Sequence, residues 1–263
     1  MNARADFNVI ERGATDGKAL VFAHGFGCDQ HMWRLVAPAF EDDHRIVLFD
    51  YVGMGGAQAS YDRERYATLD GYAADVLRIC EELDLREVVL VGHSVSAIIG
   101  TLAQIAAPDR FDSLVMVGPS PRYINDGDYV GGFEQEDIDG LLDSLASNYL
   151  GWSHAMAPAI MGNPDRPELG AELEASFCTV DPEIAEQFAR ATFLSDNRSD
   201  LARVTAPTLV LQSREDVIAP LVVGQYVADH IPDSTLVVLD STGHCPHLSA
   251  PDQVTSALRA FLS

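Results

Sequence analysis

Short apolar runs alternate with longer amphipathic stretches along most of the chain. Runs of apolar residues, several of them β-branched, predict strands over residues 7–11, 19–23, 46–49, 88–91, 114–117, 208–211 and 236–239. Apolar residues that recur at helical spacing predict helices over residues 69–83, 95–106, 221–230 and 252–262. Strands that alternate with helices form parallel sheets covered on both faces, so the pattern predicts an α/β fold with a mostly parallel sheet.

Residues 121–203 interrupt this alternation, because they contain no β-branched run. Turn signals separate helical patterns over residues 134–148, 152–161, 167–178 and 182–194. We therefore expect a core formed by residues 1–120 and 204–263, with a four-helix lid inserted as residues 121–203. An inserted helical cap typically covers a site, although a small helical domain with a role of its own is an alternative interpretation.

The charge of the chain is strongly one-sided. Its 263 residues include 17 Lys and Arg against 40 Asp and Glu, which gives a net charge of −23. Nucleic acids and anionic membranes attract cationic surfaces, so neither is expected as a partner. Repulsion between equally acidic copies also favours a monomer. The acidic residues are spread along the chain, which fits either a solubilising surface or adaptation to salt.

Cysteine usage and hydropathy favour a cytoplasmic location. The four cysteines, Cys28, Cys80, Cys178 and Cys245, form no Cys-x-x-Cys motif and are too few for a disulfide scaffold. No apolar stretch approaches the ~18 residues of a membrane span. The first residues contain no apolar signal segment.

A candidate nucleophile follows the strand predicted over residues 88–91. The sequence Gly-His-Ser-Val-Ser at residues 92–96 opens the next helix, which is the context of a Gly-x-Ser-x-Gly nucleophile elbow with Ser94 at its centre. Ser96 replaces the second glycine, and its small side chain is compatible with the turn. The alternative is a serine in an ordinary turn between a strand and a helix.

A serine nucleophile requires a base and an acid that orients the base. Elbow enzymes place them in the order serine, acid, histidine. Asp216 follows the strand at residues 208–211 and is the expected acid, with Glu215 as the alternative. His244 follows the last predicted strand and is the expected base, with His247 as its competitor. A metal site formed by the two histidines lacks further ligands at a supporting spacing, so no metal is predicted.

Two backbone amides are candidates for an oxyanion hole. One is the amide of Val95, which follows the nucleophile, and the other is that of Phe26 in the glycine-rich turn after residues 19–23. A phosphate-binding loop is not supported, because residues 53–58 lack the last glycine of Gly-x-Gly-x-x-Gly and no Gly-Lys-Ser/Thr occurs. No cofactor is therefore predicted.

Taken together, these motifs resemble the α/β-hydrolase superfamily. Within it, the chain is similar to the RsbQ-like branch of bacterial regulators of sigma-B, and to plant karrikin and strigolactone receptors. The stretches that carry the resemblance are residues 24–30 (HGFGCDQ), 49–53 (FDYVG), 92–100 (GHSVSAIIG), 118–123 (GPSPRY), 131–134 (GGFE) and 243–249 (GHCPHLS). The resemblance implies an α/β-hydrolase fold with eight, or seven, strands.

The expected activity is hydrolysis of small apolar esters or lactones by acyl transfer. Beyond Phe26 and Val95, the side chains expected to line the pocket are Phe133, Trp152, Met156, Phe177, Phe193 and Ile218. The RsbQ resemblance implies a signalling role with a PAS-domain serine phosphatase as partner. A metabolic esterase or lactonase, and a catalytically weak ligand receptor, are the alternatives.

Overall fold

The computed structural model describes residues 2–263, and its strands form one sheet. Seven strands are present in that part of the chain: β1 (Ile10–Gly13), β2 (Ala19–Ala23), β3 (Arg45–Leu48), β4 (Val88–His93), β5 (Phe111–Val117), β6 (Thr208–Glu215) and β7 (Ser234–Thr242). Their order is β1-β3-β2-β4-β5-β6-β7. Only β1 is antiparallel to its neighbour in this sheet. The predicted α/β fold is confirmed, with the smaller of the two strand numbers.

Helices precede the first strand, lie between later strands and follow the last one. In the described residues they are α1 (Ala3–Asp6), α2 (Leu69–Glu82), α3 (Val95–Ala106), α4 (Gln135–Ser147), α5 (Tyr149–Met161), α6 (Pro167–Phe177), α7 (Pro182–Phe193), α8 (Arg198–Leu201), α9 (Leu221–His230), α10 (Pro246–Ser249) and α11 (Pro251–Leu262). Within residues 2–263, no helix is both long enough and apolar enough to cross a bilayer.

The sheet separates two apolar layers. Alternate residues of β2 point to opposite faces, so that Leu20 and Phe22 belong to one buried cluster while Val21 and Ala23 belong to the other. All six residues of β4 are buried. This two-sided burial is the reason that the central strands appear in the sequence as unbroken apolar runs.

The first strand differs from its prediction. The sequence pattern placed it at residues 7–11, whereas β1 begins at Ile10. Residues 7 and 8 form a turn instead, in which Asn8 has φ 46° and is not extended. The turn follows the short helix α1, which the side chain of Asn2 caps by accepting a hydrogen bond from the amide of Arg4. Phe7 is buried at the end of α1, where its amide donates to the carbonyl of Ala3.

The helices between β5 and β6 contact the loops that follow the parallel strands. They comprise α4 to α7 and the short α8, which the sequence pattern did not predict. Ser176 Oγ donates to the carbonyl of Gly27, in the loop after β2, at 3.1 Å. The amide of His244, after β7, donates to the carbonyl of Ile160 in α5 at 2.9 Å. Residues 121–203 therefore cover the edge of the sheet where the elbow lies.

Candidate active site

Ser94 occupies a sharp turn between β4 and α3. Its backbone has φ 56° and ψ −123°, an unusual combination for a residue other than glycine. The turn is crowded, because a Cβ on Gly92 would lie 2.5 Å from the carbonyl oxygen of Ser96. The amide of Ser94 donates to the carbonyl of Val117 in β5 at 2.8 Å, which ties the turn to the sheet.

Two hydrogen bonds connect Ser94, His244 and Asp216. His244 Nε2 lies 2.7 Å from Ser94 Oγ, and His244 Nδ1 lies 2.7 Å from Asp216 Oδ2. All three side chains are buried. The carboxylate favours a proton on Nδ1, which leaves Nε2 to accept the proton of the serine hydroxyl. This arrangement has the geometry needed to activate a serine oxygen as a nucleophile.

The loop after β6 holds the carboxylate of Asp216 in place. Asp216 Oδ1 accepts hydrogen bonds from the amides of Ile218 at 2.8 Å and Ala219 at 3.1 Å. Gln212 Nε2 donates to Oδ2 at 3.3 Å. These three donors hold the carboxylate in an orientation in which its Oδ2 also accepts a hydrogen bond from His244 Nδ1.

Glu215 and His247, the alternatives to Asp216 and His244, are not hydrogen-bonded to the other triad residues. Glu215 is an exposed residue at the end of β6 and accepts a hydrogen bond from Thr242 Oγ1 at 3.3 Å. The ring of His247 packs against the rings of Trp33 and His93, with distances between ring centroids of 4.7 and 4.4 Å. Both nitrogens of His244 already bond to Asp216 and Ser94, so His244 and His247 do not form a metal pair.

The glycine-rich turn after β2 lies directly beside the elbow. A Cβ on Gly25 would be 3.5 Å from Ser94 Cβ. Val95 is the first residue of α3, so its amide has no carbonyl partner within the helix. Phe26 follows Gly25 in this turn. The backbone around Ser94 therefore has the course expected of an oxyanion hole formed by the amides of Phe26 and Val95.

Ser96 joins this turn to the elbow. Its hydroxyl donates to the carbonyl oxygen of His24. Because that bond uses the hydroxyl proton, Tyr51 donates its own hydroxyl to Ser96 Oγ at 3.0 Å. His24 Nε2 accepts the amide of Tyr51 at 3.1 Å. The serine that replaces the usual glycine thus forms a buried polar connection between α3 and the loops that contain His24 and Tyr51.

A cavity of about 40 Å³ lies next to Ser94. Its walls come from the lid region and from the loops around the triad: Phe26, Cys28, His93, Ser94, Tyr123, Trp152, Ile160, Leu173, Phe177, Thr192, Phe193, Ile218, His244 and Cys245. Four of the six expected pocket residues, Trp152, Phe177, Phe193 and Ile218, are among them. So is Phe26, which was expected for its amide.

Phe133 and Met156 are not part of the cavity wall, contrary to expectation. Both are half-buried and pack against the hydrophobic core. Helical periodicity identifies an apolar face but does not distinguish a face toward the core from one toward a cavity. The side chain of Val95, which was also expected to line the pocket, packs in the core instead, and this is compatible with the use of its amide.

The sequence analysis missed several polar side chains in the cavity wall. Tyr123 Oη, Trp152 Nε1 and Thr192 Oγ1 are buried there without a hydrogen-bond partner in residues 2–263. Burial raises the pKa of Tyr123 above its ordinary value, so the phenol stays protonated and can donate. Tyr123 lies in the stretch 118–123 that carries part of the family resemblance, and this was the available signal.

Comparisons with known proteins agree with this geometry. The family model described as "Alpha/beta hydrolase family" matches residues 20–257. The chain belongs to this family. It is 42% identical to "Karrikin insensitive 2 receptor CA" of Petunia hybrida, over 92% of this chain and 90% of that one. It is 40% identical to "Strigolactone esterase D14" of Arabidopsis thaliana, over 94% and 93%.

A solved structure shows the same architecture almost end to end. The hydrolase olei00960 from Oleispira antarctica has a TM-score of 0.96 and 42% sequence identity, with 99% of this chain and 96% of that chain covered. The family, the resemblance to plant receptors of this type, and the assignment as a hydrolase are confirmed.

Proposed function

We propose that the protein is a serine hydrolase that cleaves small apolar esters or lactones by acyl transfer. Ser94 is the nucleophile, His244 the general base and acid, and Asp216 the residue that orients His244. The observation that carries this proposal is the pair of 2.7 Å hydrogen bonds that link the three side chains, of which Ser94 and His244 line the cavity.

The first step forms an acyl-enzyme. Ser94 Oγ attacks the carbonyl carbon while His244 Nε2 takes the hydroxyl proton, and Asp216 stabilises the resulting imidazolium. The amides of Phe26 and Val95 donate to the oxyanion, and the loss of one such donor costs about 3–4 kcal/mol in transition-state stabilisation. His244 then protonates the leaving oxygen, which in a lactone remains attached to the acyl group.

The second step releases the acid. Water gives a proton to His244 and attacks the acyl carbon, and the imidazolium then returns the proton to Ser94. Aromatic and aliphatic walls around Ser94 favour an apolar substrate. The net charge of −23 repels anions on approach, which favours a neutral one.

Substitution Ser94→Ala tests the nucleophile. Turnover of a short acyl nitrophenyl ester should fall by roughly 10⁴-fold or more, because the base has no hydroxyl to activate. The matched control is Ser147→Ala, which removes an exposed hydroxyl in α4. Electrospray mass spectrometry with a lactone probe should show an adduct on the wild type and none on Ser94→Ala. Retained turnover in Ser94→Ala would contradict the assignment.

A second candidate is a ligand-sensing role in which residues 121–203 act as a lid. The small volume of the cavity supports it, because any ester of more than a few atoms must displace the wall formed by α5, α6 and α7. Residues 1–120 and 204–263 would then form a cytoplasmic, monomeric core. By resemblance, a PAS-domain serine phosphatase is the partner that detects the altered lid.

Turnover and lid state distinguish sensing from metabolism. A sensor should hydrolyse its ligand with a turnover number well below the enzyme median of about 10 s⁻¹. Its pattern of proteolysis within residues 121–203 should also change when Ser94 is acylated. A metabolic esterase should turn over rapidly, with the same proteolysis pattern in the free and acylated protein.

A further inference from the structure

Three side chains behind the triad bring potential metal ligands together. His93, Cys245 and His247 each offer one ligand atom, and these atoms lie within 4.8 Å of one another. At most 2% of each residue is exposed to solvent. The cluster is distinct from the triad, since His244 and Asp216 contribute no ligand atom to it.

The imidazole nitrogens in this cluster are unusually free of partners. Neither nitrogen of His247 has a hydrogen-bond partner within the described residues, and His93 Nδ1 likewise has none. His93 uses its other nitrogen, Nε2, to donate to the carbonyl of His244 at 2.8 Å. Buried polar atoms normally have partners, so three unpaired nitrogens beside a thiol point to a bound group.

The ligand types suit a metal ion. A metal binds a neutral imidazole through its free lone pair and a cysteine as the thiolate, so binding at this cluster displaces the thiol proton of Cys245.

Charge and ligand type select the ion. A Cu(I) ion with one thiolate and two neutral imidazoles has no net charge, whereas Zn(II) with the same ligands retains one positive charge in an apolar interior. Thiolate and imidazole are also ligands that Cu(I) accepts readily. His93 and Cys245 also line the cavity next to Ser94, so the cluster borders the nucleophile.

We propose that His93, Cys245 and His247 bind one Cu(I) ion, and that the bound ion inhibits hydrolysis. Binding forms a copper–sulfur bond and releases the thiol proton of Cys245 to solvent, with no change in oxidation state. The expected inhibition of hydrolysis, which rests on the proposed function, follows from the position of the cluster beside the triad. Cys245 is adjacent to His244, His93 holds the His244 carbonyl, and His93 Nδ1 faces Gly25 in the oxyanion turn.

Anaerobic titration with the coloured Cu(I)–bicinchoninate complex tests the site. The wild type should withdraw one equivalent of copper, and X-ray absorption of that protein should report one sulfur and two nitrogen neighbours. Affinity should fall at least ~100-fold in Cys245→Ser and His247→Phe, since even changes behind the ligands cost 10–100-fold. The control Cys178→Ser removes an exposed thiol and should bind copper like the wild type.

Ser94→Ala separates this proposal from the proposed function. It should bind copper like the wild type although it hydrolyses nothing. In the wild type, one equivalent of Cu(I) should lower ester turnover at least tenfold, and a stronger chelator should restore it. No copper withdrawn, equal binding by folded Cys245→Ser, or a spectrum without sulfur would overturn the site. Binding with unchanged turnover would overturn the inhibition. X-ray absorption of the wild type decides the site if the variants fail to fold.

Discussion

Ser96 shows how much a single residue contributes beyond what its motif indicates. In the sequence it is a small residue tolerated where the elbow motif has glycine. In the structure, its buried hydroxyl donates to the His24 carbonyl and accepts from Tyr51. The His24 carbonyl lies two residues before Phe26, so Ser96 restrains the turn that carries one of the two amides proposed for the oxyanion hole. We assign Ser96 a positioning role.

Substitution Ser96→Ala should lower kcat about tenfold and leave KM within about twofold. The oxyanion forms only during reaction, so a misplaced Phe26 amide weakens the transition state more than substrate binding. The free energy of unfolding should also fall by about 1–3 kcal/mol, because buried groups lose their partner. Steady-state kinetics and urea unfolding measure the two effects.

The control for this prediction is Tyr51→Phe, which removes the donor to Ser96 but preserves the hydrogen bond from Ser96 to His24. Its kcat should remain close to that of the wild type. An unchanged kcat in Ser96→Ala, or an equal loss in both variants, would argue against positioning through the His24 carbonyl.

At this scale the sequence predicted the triad positions but not their surroundings. Order along the chain and adjacency to strands were sufficient to select Ser94, Asp216 and His244, which the structure brings within hydrogen-bonding distance. The sequence did not predict that Tyr123 and Thr192 lie in the cavity wall. Their place there depends on how the helices of the insertion pack, which periodicity within one helix does not specify.

Among the elements, the turn from β4 to α3 is tightly constrained. We predict that Gly92→Ala abolishes folding or lowers the melting temperature severely, because the new Cβ would lie 2.5 Å from a backbone oxygen that cannot move aside. Thermal unfolding followed by circular dichroism measures this effect.

The matched control is Gly140→Ala in the exposed face of α4. A Cβ on Gly140 would meet no atom within 4 Å, and alanine is favoured over glycine inside helices. This variant should gain about 0.5–1 kcal/mol in the free energy of unfolding. Equal effects of the two substitutions would mean that the turn is not crowded in solution.

Helix α7 contributes Phe193 to the cavity wall, and we predict that this ring limits the length of the acyl group. The ring of Phe193 lies between Phe26 and Tyr123, with centroid distances of 6.2 and 4.9 Å. In Phe193→Ala, the ratio of kcat/KM for a hexanoyl over an acetyl nitrophenyl ester should rise at least tenfold. The reason is that each methylene placed in an apolar pocket contributes about 1–3 kcal/mol.

The neighbouring residue provides the control for the chain-length preference. Leu194 is exposed and lies outside the cavity wall, so Leu194→Ala should leave this ratio unchanged. A constant ratio in Phe193→Ala would place the acyl group elsewhere.

On the scale of the whole molecule, buried neutral histidines couple stability to pH. The pKa of His247 is lowered to about 3 in the folded protein, whereas the unfolded chain binds this proton below about pH 6.5. The unfolded state therefore binds more protons in that window, and stability is lost as the pH falls. His24 and His93 shift in the same direction because they are also buried.

We predict that His247→Phe reduces the loss of stability between pH 7.5 and pH 5 by about 2 kcal/mol, the linkage expected for one histidine. Urea unfolding at the two pH values measures the difference. Comparison with the wild type cancels the effect of protonating the acidic surface. His31 is exposed, so the control variant His31→Gln should lose as much stability between the two pH values as the wild type. An equally large loss in His247→Phe would mean that His247 is solvated and contradict the prediction.

The sequence alone determined the α/β class, and it predicted the extent of the insertion and the triad. Each depends on local periodicity or on the order of residues along the chain, which the sequence contains directly. The tertiary structure decided which aromatic residues face the cavity, that Ser96 bonds to His24 and Tyr51, and that His247 meets His93 and Cys245. These depend on distances between segments far apart in the chain, which packing fixes and local pattern does not.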